Sequence, residues 1–419
     1  MRILRSIVTP RPDEIPQGVR RVCERLHAAG FGAWIVGGCV RDLHLQREVA
    51  DWDVCTSAEP KEVMRVFERV VPTGIAHGTV TVLDHADHYE VTTLRGDGSY
   101  TDGRRPDAVK FLREIDEDLA RRDFTVNAMA FDVVRHALVD PHGGFEDLRQ
   151  GLLRAVGDPS KRFGEDGLRV LRGARFVATL EFELAPETLA AIHGALATFR
   201  RVSRERVHDE WKKCMKAASP SRAFSVMKSQ GILREISPSL ADLSDDDWDV
   251  ALRTMDTLPR QDAVLRLAGL MHRMSPRACD VLLKELKFSN NDHKRICTVV
   301  SAQQAMEGLD ERAPSHRAFL RRWGTEVLDD LIALDTACRT ESRHDAHEAV
   351  FVSMKKIIAD RDALEPRQLA INGADLQREL GIPPSKLLGQ MIEALMLWVL
   401  EEPSRNTSQA LLDHAKSLK

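Results

Sequence analysis

The hydrophobic period of this chain changes near residue 150, and that change restricts the fold more than any other feature. Between residues 31 and 140, short apolar runs alternate with helical signals. Trp34–Val36, Asp51–Cys55, Thr79–Leu83, Tyr89–Leu94 and Ala128–Val134 read as strands, and Lys61–Val70 as a helix. A helix over Gly18–Ala29, ended by Gly30 as a C-cap, leads into this region. Beyond residue 150 the strand signals fade. Helical periodicity then runs to the C-terminus, broken by prolines at 186, 220, 238, 259, 276, 314, 366 and 383–384. The expected fold is an α/β head on a mixed sheet followed by an all-α remainder, and 419 residues suffice for several domains.

Composition narrows the class. Hydrophobic residues make up 43% and charged residues 30%, ordinary for a soluble globular chain, and no apolar run reaches the length of a membrane span. The start, Met1-Arg2-Ile3-Leu4-Arg5-Ser6, lacks the apolar core of a signal peptide. The seven cysteines are scattered with no Cys-x-x-Cys pair, which indicates neither a zinc site nor a disulfide framework and fits a reducing cytoplasm. Net charge is −4, so any nucleic-acid contact must come from local patches. One patch runs from Arg200 to Lys216; a second is Lys284, Lys287, Lys294 and Arg295. Each fits either a phosphate-binding face or a solvated helix surface.

Three short constellations carry the chemistry. In the first, a buried strand ends at Gly37-Gly38, followed by Arg41 and then by Asp51 and Asp53. Adjacent glycines let backbone approach a phosphate. On a strand, period-2 alternation puts Asp51 and Asp53 on one face, where their repulsion is relieved by Mg²⁺ shared with substrate phosphates. The pair suggests metal-assisted transfer from a nucleoside triphosphate, although such a pair alone is more often a solvated turn. The second is Arg121-Arg122-Asp123-Phe124-Thr125-Val126-Asn127, which brings fork-like donors and a ribose-binding carboxylate to the edge of a core, or else a surface ion pair. In the third, Asp166, Arg169 and Arg172 share one face if they lie on a helix. A carboxylate beside a guanidinium matches the amino group and bare ring nitrogen of cytosine and adenine. Uracil and guanine present the reverse pattern and would leave both side chains mispaired. An intrahelical salt bridge is the plainer use of the same spacing.

Together these motifs resemble the class II CCA-adding tRNA nucleotidyltransferases, in the polymerase-beta-like superfamily that also holds bacterial poly(A) polymerases. The likeness spans nearly the whole chain. It adds Gly74-Ile75-Ala76-His77-Gly78-Thr79, Glu90-Val91-Thr92-Thr93-Leu94-Arg95, Asp140-Pro141-His142-Gly143-Gly144 and Leu369-Ala370-Ile371-Asn372-Gly373 to the motifs above. The resemblance implies a head over residues 1–150 and a helical neck over 151–220 carrying the base template. A body over 221–350 and a tail over 351–419 would bind tRNA. It implies that Asp51 and Asp53 hold two Mg²⁺ ions that activate the tRNA 3′-hydroxyl and clamp the triphosphate of CTP or ATP. Gly37, Gly38 and Arg41 would contact phosphates. Asp123 would meet the ribose with Arg122 nearby, Asp166 and Arg169 would read the base, and Arg172 would add to nucleotide binding. Glu90 is a candidate third carboxylate. The partner is tRNA, through its 3′ end and acceptor arm, with no membrane or protein partner implied.

The loop Arg95–Arg105, rich in glycine, favours an enzyme able to add A. Two departures stand out. Leu270-Met271-His272-Arg273 replaces a His-Asp pair, which removes the carboxylate of a metal phosphohydrolase and leaves His272 as a satisfied core histidine. Pro383-Pro384-Ser385 stands where a glycine is usual, which puts backbone–phosphate contact there in question. The alternatives are an A-only enzyme, a poly(A) polymerase and a non-catalytic RNA-binding protein. The absence of a long basic C-terminal tail speaks against the second, and the intact aspartates against the third.

Overall fold

The computed structural model describes residues 11–75, 78–85, 87–96, 110–338 and 344–418. The chain divides into two compact units, Met1–Asp242 and Leu243–Lys419. The first opens with α1 (Gln17–Ala28), whose end is closed by Gly30 at φ +87°, the left-handed stop expected there. A seven-stranded mixed sheet follows. It contains β1 (Ala33–Val36), β2 (Asp53–Thr56), β3 (Val70–Gly74), β4 (Thr79–Asp84), β5 (Asp87–Thr93), β8 (Ala130–Asp132) and β9 (Ala137–Val139). A separate small ladder pairs β6 (Arg95–Gly96) with β7 (Lys110–Phe111).

The sheet runs β3-β4-β5-β2-β1-β8-β9, with β2 and β5 parallel and the other neighbours antiparallel. β1 reads Ala-Trp-Ile-Val, is buried throughout, and sits centrally, where both faces are covered.

Three expected boundaries move. The predicted helix over Lys61–Val70 stops early: α3 (Pro60–Val66) ends at an extended Phe67, and Val70 opens edge strand β3. Val70-Val71-Pro72 combines β-branching with a proline, and pairing with β4 wins over the helix. The strand over Ala128–Val134 shortens to β8. Asp132 Oδ1 accepts the amides of Val134 and Arg135 at 3.0 and 2.9 Å and turns the chain into β9. Asp51 lies ahead of β2, which begins at Asp53.

A helix that periodicity did not reveal, α2 (Gly38–His44), starts directly after β1. Gly37 precedes it at φ +75°, and a Cβ there would come within 2.8 Å of Arg122 Nη1. The left-handed φ is what calls for glycine at this position.

The remainder of the first unit is helical except for a two-stranded parallel ladder, β10 (Leu152–Leu153) with β11 (Glu183–Leu184). Its helices include α4 (Ile115–Ala120), α5 (Gly144–Gln150), α6 (Pro159–Glu165), α7 (Leu168–Thr179), α8 (Pro186–Ile192), α9 (Leu196–Phe199) and α10 (Arg204–Cys214). All named elements of the second unit are helices. Ser244, Asp262, Ser275 and Ser289 each accept a backbone N–H of the first turn that follows. Pro186, Pro238 and Pro276 are first helical residues, so several expected breaks are helix starts. Among the described residues, no helix is long and apolar enough to cross a membrane.

His272 is buried, as expected, but only half satisfied. Nδ1 lies 2.7 Å from the Gly269 carbonyl oxygen, while Nε2 has no hydrogen-bond partner among the described residues. Burial pushes its pKa down to about 4, with the Gly269 carbonyl opposing. The unfolded chain titrates near the ordinary 6.5, so it takes up the proton first as pH falls. Stability present above about 6.5 is therefore lost on the way to about 4. Thermal and denaturant melts should show His272→Leu escaping about 2 kcal/mol of the loss that the parent suffers between pH 7.5 and 5. Parallel pH slopes for the two proteins would contradict this.

Candidate active site

A cavity of about 780 Å³ opens in the first unit, walled by the end of β1, α2, the start of β2, the Arg121–Asn127 segment, α7 and α10. Gly37, Gly38, Arg41, Asp51, Asp53, Arg122, Asp123, Asp166, Arg169 and Arg172 all line it. Residues more than a hundred positions apart thus meet at one surface. Nine cationic side chains face the cavity against four carboxylates, which suits a polyanionic ligand. Glu90 is not among the lining residues. It pairs with Asp53 across the β2–β5 ladder, and its side chain is exposed.

The carboxylates have the character of cation ligands. Burial raises the Asp53 carboxyl above its ordinary range; Arg122 opposes this, and the charges of Glu90 and Asp51 add to it. A hard divalent cation relieves that repulsion, and oxygen donors suit Mg²⁺. Of the four lining carboxylates, Asp123 and Asp166 are engaged by arginines, and Asp51 and Asp53 are the two suited to such a cation.

The arginine-rich motif is anchored from beneath. Asp118 on α4 is fully buried, and Arg121 Nη2 and Arg122 Nη2 donate to its two oxygens at 2.6 and 3.1 Å. Burial works to raise its pKa, but Arg122 and Arg121 outweigh that and hold it low. Arg122 is thereby fixed against Gly37 at the cavity wall. Asp123 is also engaged. Oδ1 accepts from the Phe124 amide at 2.8 Å and Asn127 Nδ2 at 3.1 Å, while Arg172 Nε donates to Oδ2 at 2.7 Å. Burial is outweighed by Arg172 and these bonds, and the carboxyl falls to about 2. Asn127 also receives Arg41 Nη1 at 2.5 Å, which links the two motifs.

The shared helical face predicted for Asp166, Arg169 and Arg172 is corrected. Asp166 is not helical: it sits at the break between α6 and α7 in extended conformation, with Gly167 after it. A Cβ at Gly167 would lie 2.6 Å from Phe199 backbone, so close packing against α9 fixes the break. Asp166 Oδ1 caps Leu168 N at 2.9 Å. Neither the 166–169 nor the 166–172 pair forms. Arg206 of α10 grips Asp166 with both nitrogens, at 3.1 and 2.6 Å.

Arg169 pairs with Glu165 and donates to the carbonyl oxygens of Arg162 and Arg121, at 2.7 and 3.0 Å. The last bond ties α7 to the segment after α4. Arg172, Arg175 and Arg41 crowd the Phe176 ring, with guanidinium carbons 5.4, 3.9 and 5.5 Å from its centroid.

Sequence reasoning missed Arg206, Arg175 and Glu210 as parts of this site. Glu210 is buried and accepts from Arg175 Nε at 2.5 Å. Arg206 belonged to the basic run from Arg200 to Lys216, the only signal for it. In the structure that run divides: Arg206 and Lys213 face the cavity, whereas Arg200 pairs with Glu235. In the second basic group, Lys284 pairs with Asp280, and Arg295 with Asp262 and Asp330. The loop expected to favour A addition lies mostly outside the described residues, which stop at Gly96 and resume at Lys110.

A mixed sheet that presents paired aspartates to a cationic cavity defines the class, a nucleotidyltransferase. Residues 33–154 match the family described as the poly A polymerase head domain. Residues 181–243 match the "Probable RNA and SrmB-binding site of polymerase A", and residues 261–415 match domain 2 of the tRNA nucleotidyltransferases. The CCA-adding enzyme of Lactiplantibacillus plantarum is 34% identical over 416 residues, covering 98% of each chain. That of Listeria monocytogenes is 36% identical over 389 residues, covering 90% of this chain and 92% of the relative. The Bacillus stearothermophilus CCA-adding enzyme, solved in complex with CTP, superposes with a TM-score of 0.75 at 28% identity, covering 96% of this chain and 97% of the other. The chain belongs to the CCA-adding enzyme family of tRNA nucleotidyltransferases.

Proposed function

We propose that this protein adds C, C and A to the 3′ end of tRNA from CTP and ATP, without a nucleic-acid template, at the cavity between β2 and α7. The observation that carries this reading is the convergence of Asp51 and Asp53 with Asp166 and Arg169 on one arginine-rich surface. Asp51 and Asp53 would hold Mg²⁺, which when bound supplies charge neutralisation for the triphosphate and activates the attacking 3′-hydroxyl. Arg41 and Arg122 bind phosphates beside the open backbone of Gly37-Gly38. Asp123, with both oxygens already engaged, acts mainly by holding Arg172 and Asn127 at the ribose side.

Base choice falls to Asp166 and Arg169. A carboxylate has about four acceptor sites, and the bonds described use three on Asp166, so one remains for the amino group of C or A. Arg169, clamped by two backbone carbonyls, presents its remaining donors without reorganisation. Arg206 positions Asp166. Its replacement by alanine should erode the preference for CTP and ATP over UTP and GTP by about 10-fold, in line with loss of one charged hydrogen-bonded partner. Unchanged ratios of kcat/KM would remove Arg206 from this role. The neck, body and tail, over residues 151–220, 221–350 and 351–419, would bind the acceptor arm.

The deciding experiment supplies tRNA lacking one, two or three terminal nucleotides with CTP alone, ATP alone or both. Stepwise completion to CCA is expected. Failure ever to incorporate CTP would reduce the activity to A addition, and long A tracts on unstructured RNA would point to a poly(A) polymerase.

A further inference from the structure

Scattered in sequence, Cys279 and Cys297 come together in the second unit, on the helices Pro276–Glu285 and Asn290–Met306. His293 and Cys297 are i, i+4 on the second helix and share a face. That face meets Asp280 of the first. His293 Nε2 lies 2.9 Å from Asp280 Oδ1 and 3.8 Å from Cys297 Sγ, and all three donor atoms fall within 4.8 Å of one another. The three residues are half-buried, reachable by an ion from solvent.

We propose that Asp280, His293 and Cys297 form a Zn²⁺ site that clips these two helices together. The donor set mixes one thiolate, one imidazole and one carboxylate, which suits a borderline-soft, tetrahedral ion rather than Mg²⁺ or Ca²⁺. In such a site the imidazole nitrogen and the sulfur stand about 3.5 Å apart. The 3.8 Å seen here needs almost no movement, and the 2.9 Å His–Asp contact needs only to open by a fraction of an ångström.

Two neighbours reinforce the set. The Cys279 thiol, on the facing helix, is buried and engaged with the Met271 sulfur at 3.8 Å, which leaves the half-buried Cys297 as the sulfur open to an ion. Lys284 Nζ donates to the other Asp280 oxygen at 2.8 Å and orients the carboxylate so that Oδ1 faces His293. The fourth tetrahedral position is left to solvent. This site shares no residue with the cavity of the first unit. Cysteine spacing alone does not register such a site, because two of its three ligands are not cysteines.

Full-length protein freed of metal with a chelator, then titrated with Co²⁺, tests this. One Co²⁺ per chain should bind with sulfur-to-cobalt charge-transfer absorption that Zn²⁺ displaces. The oxygen donors Asp51 and Asp53 give no such band. Cys297→Ser should abolish the absorption and weaken Zn²⁺ binding by about 100-fold or more, while Cys338→Ser, elsewhere in the second unit, keeps both. Zn²⁺ should raise the Tm of the parent and not that of Cys297→Ser, whose metal-free circular dichroism shows whether it is folded. Absence of a sulfur band in the parent, or its persistence in folded Cys297→Ser, overturns the proposal.

Discussion

Asp53→Ala should abolish nucleotide incorporation while tRNA affinity stays near that of the parent. Loss of a metal-holding carboxylate removes several kcal/mol of transition-state stabilisation, so single-turnover rates should fall by about 10³-fold or more. Direct binding of labelled tRNA separates the two effects, because Asp53 is assigned to the cation and not to the acceptor arm. The parent carries a companion signature. Its Asp53 carboxyl is raised by burial, with Glu90 and Asp51 adding and Arg122 opposing. Its rate should therefore decline on acidification before an ordinary aspartate would titrate, and added Mg²⁺ should shift the decline to lower pH. Undiminished incorporation by Asp53→Ala would overturn the metal assignment.

The second large effect concerns choice rather than rate. Asp166→Ala should collapse discrimination between CTP or ATP and UTP or GTP by on the order of 10²–10³-fold in kcat/KM. The site loses its acceptor for the amino group, and Arg206 loses the partner that neutralises it. The loss should fall on CTP and ATP, with UTP and GTP little changed. Arg206→Ala gives the same direction with smaller size, since it leaves the acceptor in place but frees its orientation. If Asp166→Ala lowers all four nucleotides equally, the residue supports the fold of the α6–α7 junction and does not read bases. Melting temperatures measured alongside guard against that confusion.

Much of the site was legible in the sequence because the chemistry is local. Gly37-Gly38 after an apolar burst and Asp51 near Asp53 lie within twenty residues, and all four line the cavity. The helical second unit was equally legible from its periodicity, although Pro276, expected as a break, opens a helix. What could not be read was α2, whose glycines and charges mask a helix that starts only because Gly37 adopts a left-handed turn against Arg122. The spacing of Asp166 and Arg169 also misled. It is helical spacing, but the chain breaks at Gly167 under the pressure of Phe199 backbone, so the intrahelical pair never forms.

By itself the sequence determined which functional groups line the cavity: Asp51 and Asp53, Arg41 and Arg122, and Asp166 with Arg169. Tertiary structure alone decided who holds whom. Asp166 belongs to Arg206 and Asp123 to Arg172, across 40 and 49 residues of chain. Asp280 meets His293 and Cys297 only because two helices pack face to face. The reason is physical. Backbone propensity and capping act over one turn, whereas a charged side chain removed from water takes whichever opposite charge the packing of the core brings within reach.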